Sequence, residues 1–330
     1  MFTFGIKITG WTGGPETNFP FLFSEAVSSI PAAFWSSIVD TIDGLDIRFF
    51  DTDGVTELKR EIDSVNVFAH SIESWVQIPS IAVNKIIYCK CGGATKVNDT
   101  GLWDDIGLQG VWHCKNLAML DSTANHNDCT IAGTPSIVPG KIGNAFFTNA
   151  QIDHFDAGNS ASLQLGPSAG CLSCWFYASG SYYIYDTLIC KMHQSVVGGY
   201  LLGASGGDPY FDLGARAGLL APNHPYSLAA WHHLYATWDG SSQYLYLDGV
   251  PNGVQAIAAN MASVYNLWLG AGIGYSGFKW NGKIDEVRVG NACFGANWIA
   301  NEFANQNDPG TFAECISASA SPSGFFPFFI

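Results

Sequence analysis

The stretch Trp231–Val250, WHHLYATWDGSSQYLYLDGV, constrains the fold more tightly than any other part of the chain. Two apolar-rich runs flank Asp239-Gly240-Ser241-Ser242, and Asp248-Gly249 closes the unit. Side chains alternate across an extended chain. Leu234, Ala236 and Trp238 therefore share one face with Leu245 and Leu247 of the second run. His233, Tyr235 and Thr237 point the other way, with Tyr244 and Tyr246. An Asp-Gly pair between alternating runs signals a hairpin, because glycine takes positive φ without a steric penalty. The stretch predicts a β-hairpin with one face in a core.

Composition extends that expectation to the whole chain. Of 330 residues, 48% are hydrophobic, 14% aromatic and only 13% charged, and 37 are glycine. This mixture suits many strands joined by tight turns, so the class predicted is all-β. The formal net charge of −14 speaks against nucleic acid or another polyanion as partner, since such binding needs clustered Lys and Arg. No apolar run approaches the ~20 residues of a membrane helix, so no membrane span is expected. The start, MFTFGIKITGW, shows neither a basic segment before an apolar run nor a small-residue cleavage site, and no signal peptide is expected. Nine cysteines lack the paired spacing of a zinc site. Cys171-Leu-Ser-Cys174 lies in a strand-like run and reads as core thiols on opposite faces.

Along the chain, residues 1–101 form a first module. Strands are expected at Phe19 to Phe23, before Phe50, at Trp75 to Pro79 and at Lys85 to Cys89, with a short helix or loop between Ser24 and Asp40. A second module, residues 102–312, holds the runs at 171–178 and 187–192, the hairpin, Leu267 to Ala271, and Gly282 to Val289. Asn297 to Phe303 is its best helix candidate. Residues 313–330 read as a Ser/Ala/Pro spacer and an apolar tail, with five apolar residues in the last six. That tail, 325–330, is expected to dock either on its own module or on a neighbouring subunit.

Two resemblances follow from longer motifs. TNFPFLFS, DGLDIRFFDTDGVTELKREID, SWVQIP and IIYCKCGGA, in that order, resemble the domain of unknown function 2341 family, a β-rich module of bacterial, archaeal and phage proteins. It implies a β-sandwich and brings no activity. VWHCKNLAMLDSTANHNDCTIAGTPSIVPGKIGNAFF, WHHLYATWDGSSQYLYLDG, GKIDEVRVGNACFGANWI and NEFANQNDPGTF resemble a LamG-like, concanavalin A-type jelly roll. The architecture expected is thus all-β, two β-sandwich modules in tandem, the second a jelly roll. The jelly-roll resemblance implies presentation of sugars or protein ligands, and one structural Ca²⁺ held by Asp285 with Asn149 or Asp153.

Catalytic constellations are absent from the residue pattern. The nearest match to paired glycosidase carboxylates is Glu61-Ile-Asp63-Ser-Val-Asn66, in the first module, with Asn where a third acid is needed. Asp285 and Glu286 are adjacent, and simple alternation sends them to opposite faces. No nucleophile elbow, zinc helix or phosphate loop occurs, and His232-His233 reads as a structural pair. No enzyme is expected.

Sugar binding would use exposed aromatics in Gly-, Ser- and Pro-rich stretches: Tyr183, Tyr185, Tyr210, Tyr226, Tyr275 and Trp280. The function expected is a non-catalytic surface or attachment protein. A phage virion component, made in a host cytoplasm and bound to copies of itself or to other virion proteins, reconciles free cysteines, an apolar tail and the lack of a signal. Cell-surface glycans are a possible partner. The alternatives are a secreted carbohydrate-binding adhesin, placed outside the cell, and an atypical glycoside hydrolase.

Overall fold

The computed structural model describes residues 1–99, 101–149, 152–180, 186–193, 195–216, 218–221, 225–257, 259–274 and 278–317. It divides into two units, Met1–Leu102 with Ala304–Ile330, and Trp103–Phe303.

The first unit contains β1 (Phe2–Ile8), β2 (Glu16–Ser24), β3 (Arg48–Phe50), β4 (Arg60–Asn66), β5 (Ser71–Ile81) and β6 (Ile86–Cys91). A short helix, α1 (Ala32–Ser37), fills the Ser-rich stretch. β2 runs antiparallel to β5, which also pairs β4. Phe4, Phe19, Phe21, Phe23, Phe34 and Phe49 are fully buried, and edge-on pairs such as Phe4–Phe34 at 5.4 Å and Phe23–Phe49 at 5.6 Å knit them together. Arg60 is also fully buried, its guanidinium donating to the carbonyls of Leu45, Ile47 and Lys96 and to Asn98 Oδ1. Those bonds replace the hydration that burial removes.

The second unit supplies β7 (Leu108–Trp112), β8 (Thr130–Ala132), β9 (Ser136–Pro139), β10 (Asn144–Thr148), β11 (His154–Asp156), β12 (Gly170–Ala178) and β13 (Asp186–Cys190). It continues with β14 (Leu201–Ser205), β15 (Asp208–Asp212), β16 (Leu219–Leu220), β17 (Trp231–Trp238), β18 (Ser242–Leu247), β19 (Val250–Ala256), β20 (Trp268–Leu269) and β21 (Gly282–Gly290). Two antiparallel sheets result. The larger runs β19-β18-β17-β12-β21-β10-β9 with β7 beside β21, and the other runs β16-β15-β14-β13-β20-β11-β8. Leu172, Phe176, Leu234, Trp238 and Ile284 from the first meet Phe155, Ile189, Leu202, Phe211 and Leu269 from the second in one core. The all-β class and the jelly-roll architecture are what the sequence leads one to expect.

The hairpin forms with Leu234 opposite Leu247 and Ala236 opposite Leu245, all facing that core or packed on it. Asp248 and Gly249 take φ of 52° and 75°, the left-handed turn that Asp-Gly favours. Its other face is buried as well. Phe303 stacks on Trp175 at 5.5 Å, and Phe294 meets Tyr235 edge-on at 6.4 Å. Phe294 precedes a second helix, α2 (Ala296–Asn307), and Phe303 lies within it, so aromatic side chains from this segment pack on the outer side of the larger sheet.

Residues after 312 depart from the expected spacer. Ala313–Ser317 is a strand, β22, antiparallel to β1 with Ile6 opposite Cys315, which gives the order β22-β1-β6-β3 in the first unit. Residues 325–330 lie outside the described residues. All nine cysteines are unpaired, and only Cys293 is exposed.

Candidate functional site

With aromatic side chains packed on the larger sheet's outer side, the outer side of the seven-stranded sheet is where a ligand face can form. Cross-strand register defines it. Thr130 lies opposite Asp156, Asp156 opposite Trp268, Trp268 opposite Cys190, Cys190 opposite Leu201, and Leu201 opposite Asp212. Directly paired residues share a face, so these six form one row across β8, β11, β20, β13, β14 and β15. Their chain neighbours Phe155, Leu269, Ile189, Leu202 and Phe211 all enter the core. His154 and Tyr210, two residues from Asp156 and Asp212, belong to the same outer face.

Cys190 and Leu201 of the row are buried and form a small second apolar cluster with Met192 and Ile273, and the half-buried rings of Tyr210, Tyr265 and Trp268 pack on it. The indole of Trp268 is fixed on two sides. His154 stacks on it with centroids 3.9 Å apart, and Asp156 Oδ2 accepts its Nε1–H at 3.1 Å. Asp156 also accepts from Asn266 Nδ2 at 2.9 Å and from the backbone N–H of Gly158 at 2.8 Å. Burial pushes the His154 imidazole below its usual value, so the ring is neutral at neutral pH. Its Nδ1 donates to the carbonyl of Ile152 at 3.0 Å, which leaves Nε2 as an acceptor. Nearby, His193 stacks on Tyr265 at 4.7 Å. Tyr210 turns its hydroxyl to Asp212 Oδ2 at 3.0 Å, three strand spacings or ~14 Å across the sheet from Trp268. The arrangement offers held aromatic rings flanked by neutral acceptors and carboxylates.

Of the aromatics expected from the sequence that lie among the described residues, Tyr210 alone is found on this face. Tyr226 and Trp280 are corrected: both are fully buried core side chains, 2% and 1% exposed, and each packs against Phe176. A ring enclosed on all sides cannot stack on a sugar. Tyr183, Tyr185 and Tyr275 lie outside the described residues. Trp268, His154 and Tyr265 lie outside the aromatic-rich stretches that mark candidates in the sequence, although the patterns Leu-Trp-Leu and His-Phe-Asp already place Trp268, His154 and Asp156 opposite core positions.

The expected metal ligands do not fit a cation. Asp285 is fully buried, and its Oδ2 accepts the backbone N–H groups of Lys141 and Ile142, both at 2.9 Å. Oδ1 accepts the N–H of Glu286 at 2.8 Å. Positive ends of peptide dipoles thus already surround the carboxyl group, where Ca²⁺ needs six to eight oxygens. Burial, and next the Glu286 carboxylate, push Asp285 well above the usual carboxylate range. Asp153 Oδ1 accepts from Thr134 N at 2.8 Å, while the carbonyl of Asn149 already receives the Lys279 ammonium at 3.0 Å. Among the described residues no group of three His, Cys, Asp or Glu is poised to hold a metal.

The adjacent acids are also corrected. Trp175 pairs with Asp285 but Ser173 pairs with Arg288, a bulge at which Glu286 takes φ of 50°. Ile284 and Val287 then both face the core, and neither acid does. Glu286 instead joins a buried network. Its Oε1 meets His113 Nδ1 at 2.7 Å and its Oε2 accepts from Arg288 at 3.1 Å. Arg288 donates onward to Glu302 at 2.9 Å and lies over the Trp103 ring at 4.8 Å. In the first unit, Asn66 Oδ1 caps a turn by accepting from Phe68 N and Ala69 N, so the third position of the glycosidase-like pattern serves the backbone.

Residues 149–300 match the family model of the concanavalin A-like lectin/glucanases superfamily, laminin G type 3. No curated protein matches the chain. Among solved structures, domain 4 of an extracellular arabinanase from Geobacillus stearothermophilus, determined in complex with arabinotriose, is 17% identical with a TM-score of 0.48, over 60% of this chain and 98% of that one. The binding domain of Paraclostridial Mosquitocidal Protein 1 is 12% identical with a TM-score of 0.49, over 60% of this chain and 52% of that one. The receptor binding domain of a botulinum neurotoxin C/D mosaic serotype is 16% identical with a TM-score of 0.48, over 61% and 51%. The match therefore spans about half the length of the two toxin domains.

Proposed function

We propose that this protein is a non-catalytic glycan-binding module, with the outer face of the seven-stranded sheet receiving the sugar. One observation carries the reading. Trp268 is held by His154 and Asp156 and sits half-buried at the partly exposed end of the row, with Tyr265 packed on the same apolar cluster. A rigid indole presents a flat apolar surface to a sugar ring at little entropic cost, and neighbouring acceptors take its hydroxyl protons. The lectin/glucanase family matched by residues 149–300 supports the same class of ligand. Binding without catalysis is favoured because Asp285 and Glu286 are committed to backbone amides and to an ionic network.

Attachment to a glycan-bearing surface is the role this binding would serve. Nine unpaired thiols, eight of them buried, favour folding in a reducing compartment, as for a virion component made in a host cytoplasm. The test is a glycan array probed with the whole protein and with Trp268→Ala. Hits lost in the variant support the reading, and a blank array with the folded parent protein would sink it.

A further inference from the structure

Tyr265 has a second neighbourhood. It also lines an open cavity of about 730 Å³, whose walls include Leu165, Val196, Val197, Met261 and Val264. That volume lies within the ~300–1,000 Å³ typical of ligand pockets. Three of the wall residues are exposed valines: Val264 is 81% exposed, Val197 51% and Val196 44%. Apolar side chains gathered around a concavity and left in water are a mark of a binding surface.

The walls are held apart by bonds to their own backbone. Asn260 N–H donates to Leu213 O and Gly198 N–H to Gly214 O, both at 2.9 Å. Ser263 Oγ donates to Lys191 O at 2.8 Å, and Asn159 Nδ2 to Val264 O at 3.0 Å. Gly198 and Gly199 take φ of 127° and 90°, where a Cβ would stand 2.1 Å from Ala262 O and 2.0 Å from Lys191 O. Only glycine permits that approach. Lys191 is fully buried and directs its ammonium to Tyr265 O at 2.6 Å and to Asn159 Oδ1. It is thus spent on the wall itself and is not offered to an anion.

Resting on the glycan reading above, we propose that this cavity receives an apolar group carried by the sugar, so that the ligand is amphipathic, an alkyl or acyl glycoside. The sugar stacks at Trp268, and the apolar group passes Tyr265 into the space between Val197 and Val264. Tyr265 belongs to both surfaces, which makes them continuous.

The experiment uses two probes on the full chain. The uncharged dye N-phenyl-1-naphthylamine should brighten and shift to the blue on binding. Ala262→Trp, at an exposed position on the cavity wall, and Val264→Asp should each weaken it at least tenfold, about 1.4 kcal/mol, with melting unchanged. Octyl β-glucoside below its micelle threshold should displace the dye at concentrations at least tenfold lower than glucose. Trp268→Ala should weaken octyl β-glucoside and leave the dye untouched. No dye response, or a response equal in the parent and both wall variants, overturns the cavity. Equal potency of octyl β-glucoside and glucose overturns the amphipathic ligand. A dye response lost in Ala262→Trp, with octyl β-glucoside indifferent to Trp268→Ala, upholds the cavity and removes the sugar site instead.

Discussion

The imidazole of His154 lies on the indole of Trp268 with centroids 3.9 Å apart and planes 28° from parallel. Paired Asp156 and Trp268 stand on adjacent strands, and the carboxylate takes the indole N–H, so the ring has little freedom to turn. Trp268→Ala is expected to abolish measurable glycan binding, a loss of at least ~2 kcal/mol at a held aromatic anchor. His154→Ala, which frees one side of the ring, should lower affinity about three- to tenfold and raise the mobility of the indole. Isothermal titration against an array hit, with Trp fluorescence anisotropy, checks both.

Asp285 accepts three backbone N–H groups, two on one oxygen and one on the other. Asn keeps one acceptor oxygen and turns an amide N–H₂ toward the remaining donors. Asp285→Asn is therefore expected to cost about 1–3 kcal/mol of stability. Added Ca²⁺ or EDTA should leave the melting temperature of the parent protein unchanged. A stabilisation by millimolar Ca²⁺ that is lost in Asp285→Asn would show that the carboxyl group serves a cation after all.

His233 is enclosed between the rings of Trp175 and Phe303, and burial, then Arg288, push its imidazole down to about 3. The unfolded imidazole titrates near 6.5. Between those two values the unfolded chain holds the extra proton, so this site makes stability fall as pH drops from about 6.5 toward 3. Replacement by Phe removes the titrating group from the aromatic slot. His233→Phe should flatten the acid limb of a stability–pH curve by a few kcal/mol, on the order of 1.36 kcal/mol per unit, and leave the curve above pH 7 parallel to the parent's. Urea melts from pH 7 to 4 decide it.

Arg288 stands between two buried carboxylates, Glu286 at 3.1 Å and Glu302 at 2.9 Å. Removing the cation alone leaves like charges facing each other without water. Arg288→Met should cost about 3–5 kcal/mol, while Arg288→Met combined with Glu286→Gln and Glu302→Gln should recover a large part of that. Additive losses in the triple variant would argue against a coupled network.

What the sequence alone determined is what short-range chemistry can dictate. Period-two alternation fixed the faces of Leu234, Ala236, Leu245 and Leu247, and Asp248-Gly249 fixed the turn, because pleat and positive φ are properties of neighbouring residues. Low charge and many aromatics and glycines set the all-β class. Tertiary structure decided the rest. Tyr226 and Trp280 look like surface aromatics in their Gly- and Pro-rich surroundings, yet the fold closes over both. The bulge that sends Asp285 and Glu286 away from the core arises from pairing with β12, a partner more than a hundred residues earlier in the chain. The candidate site needed the same long-range information. Phe294 and Phe303 pack on one sheet, on the other Thr130, Asp156 and Trp268 keep surface exposed, and register alone brings Asp156 beside Trp268. Alternation tells which side chains leave a strand together, but only packing tells which outward face remains in water.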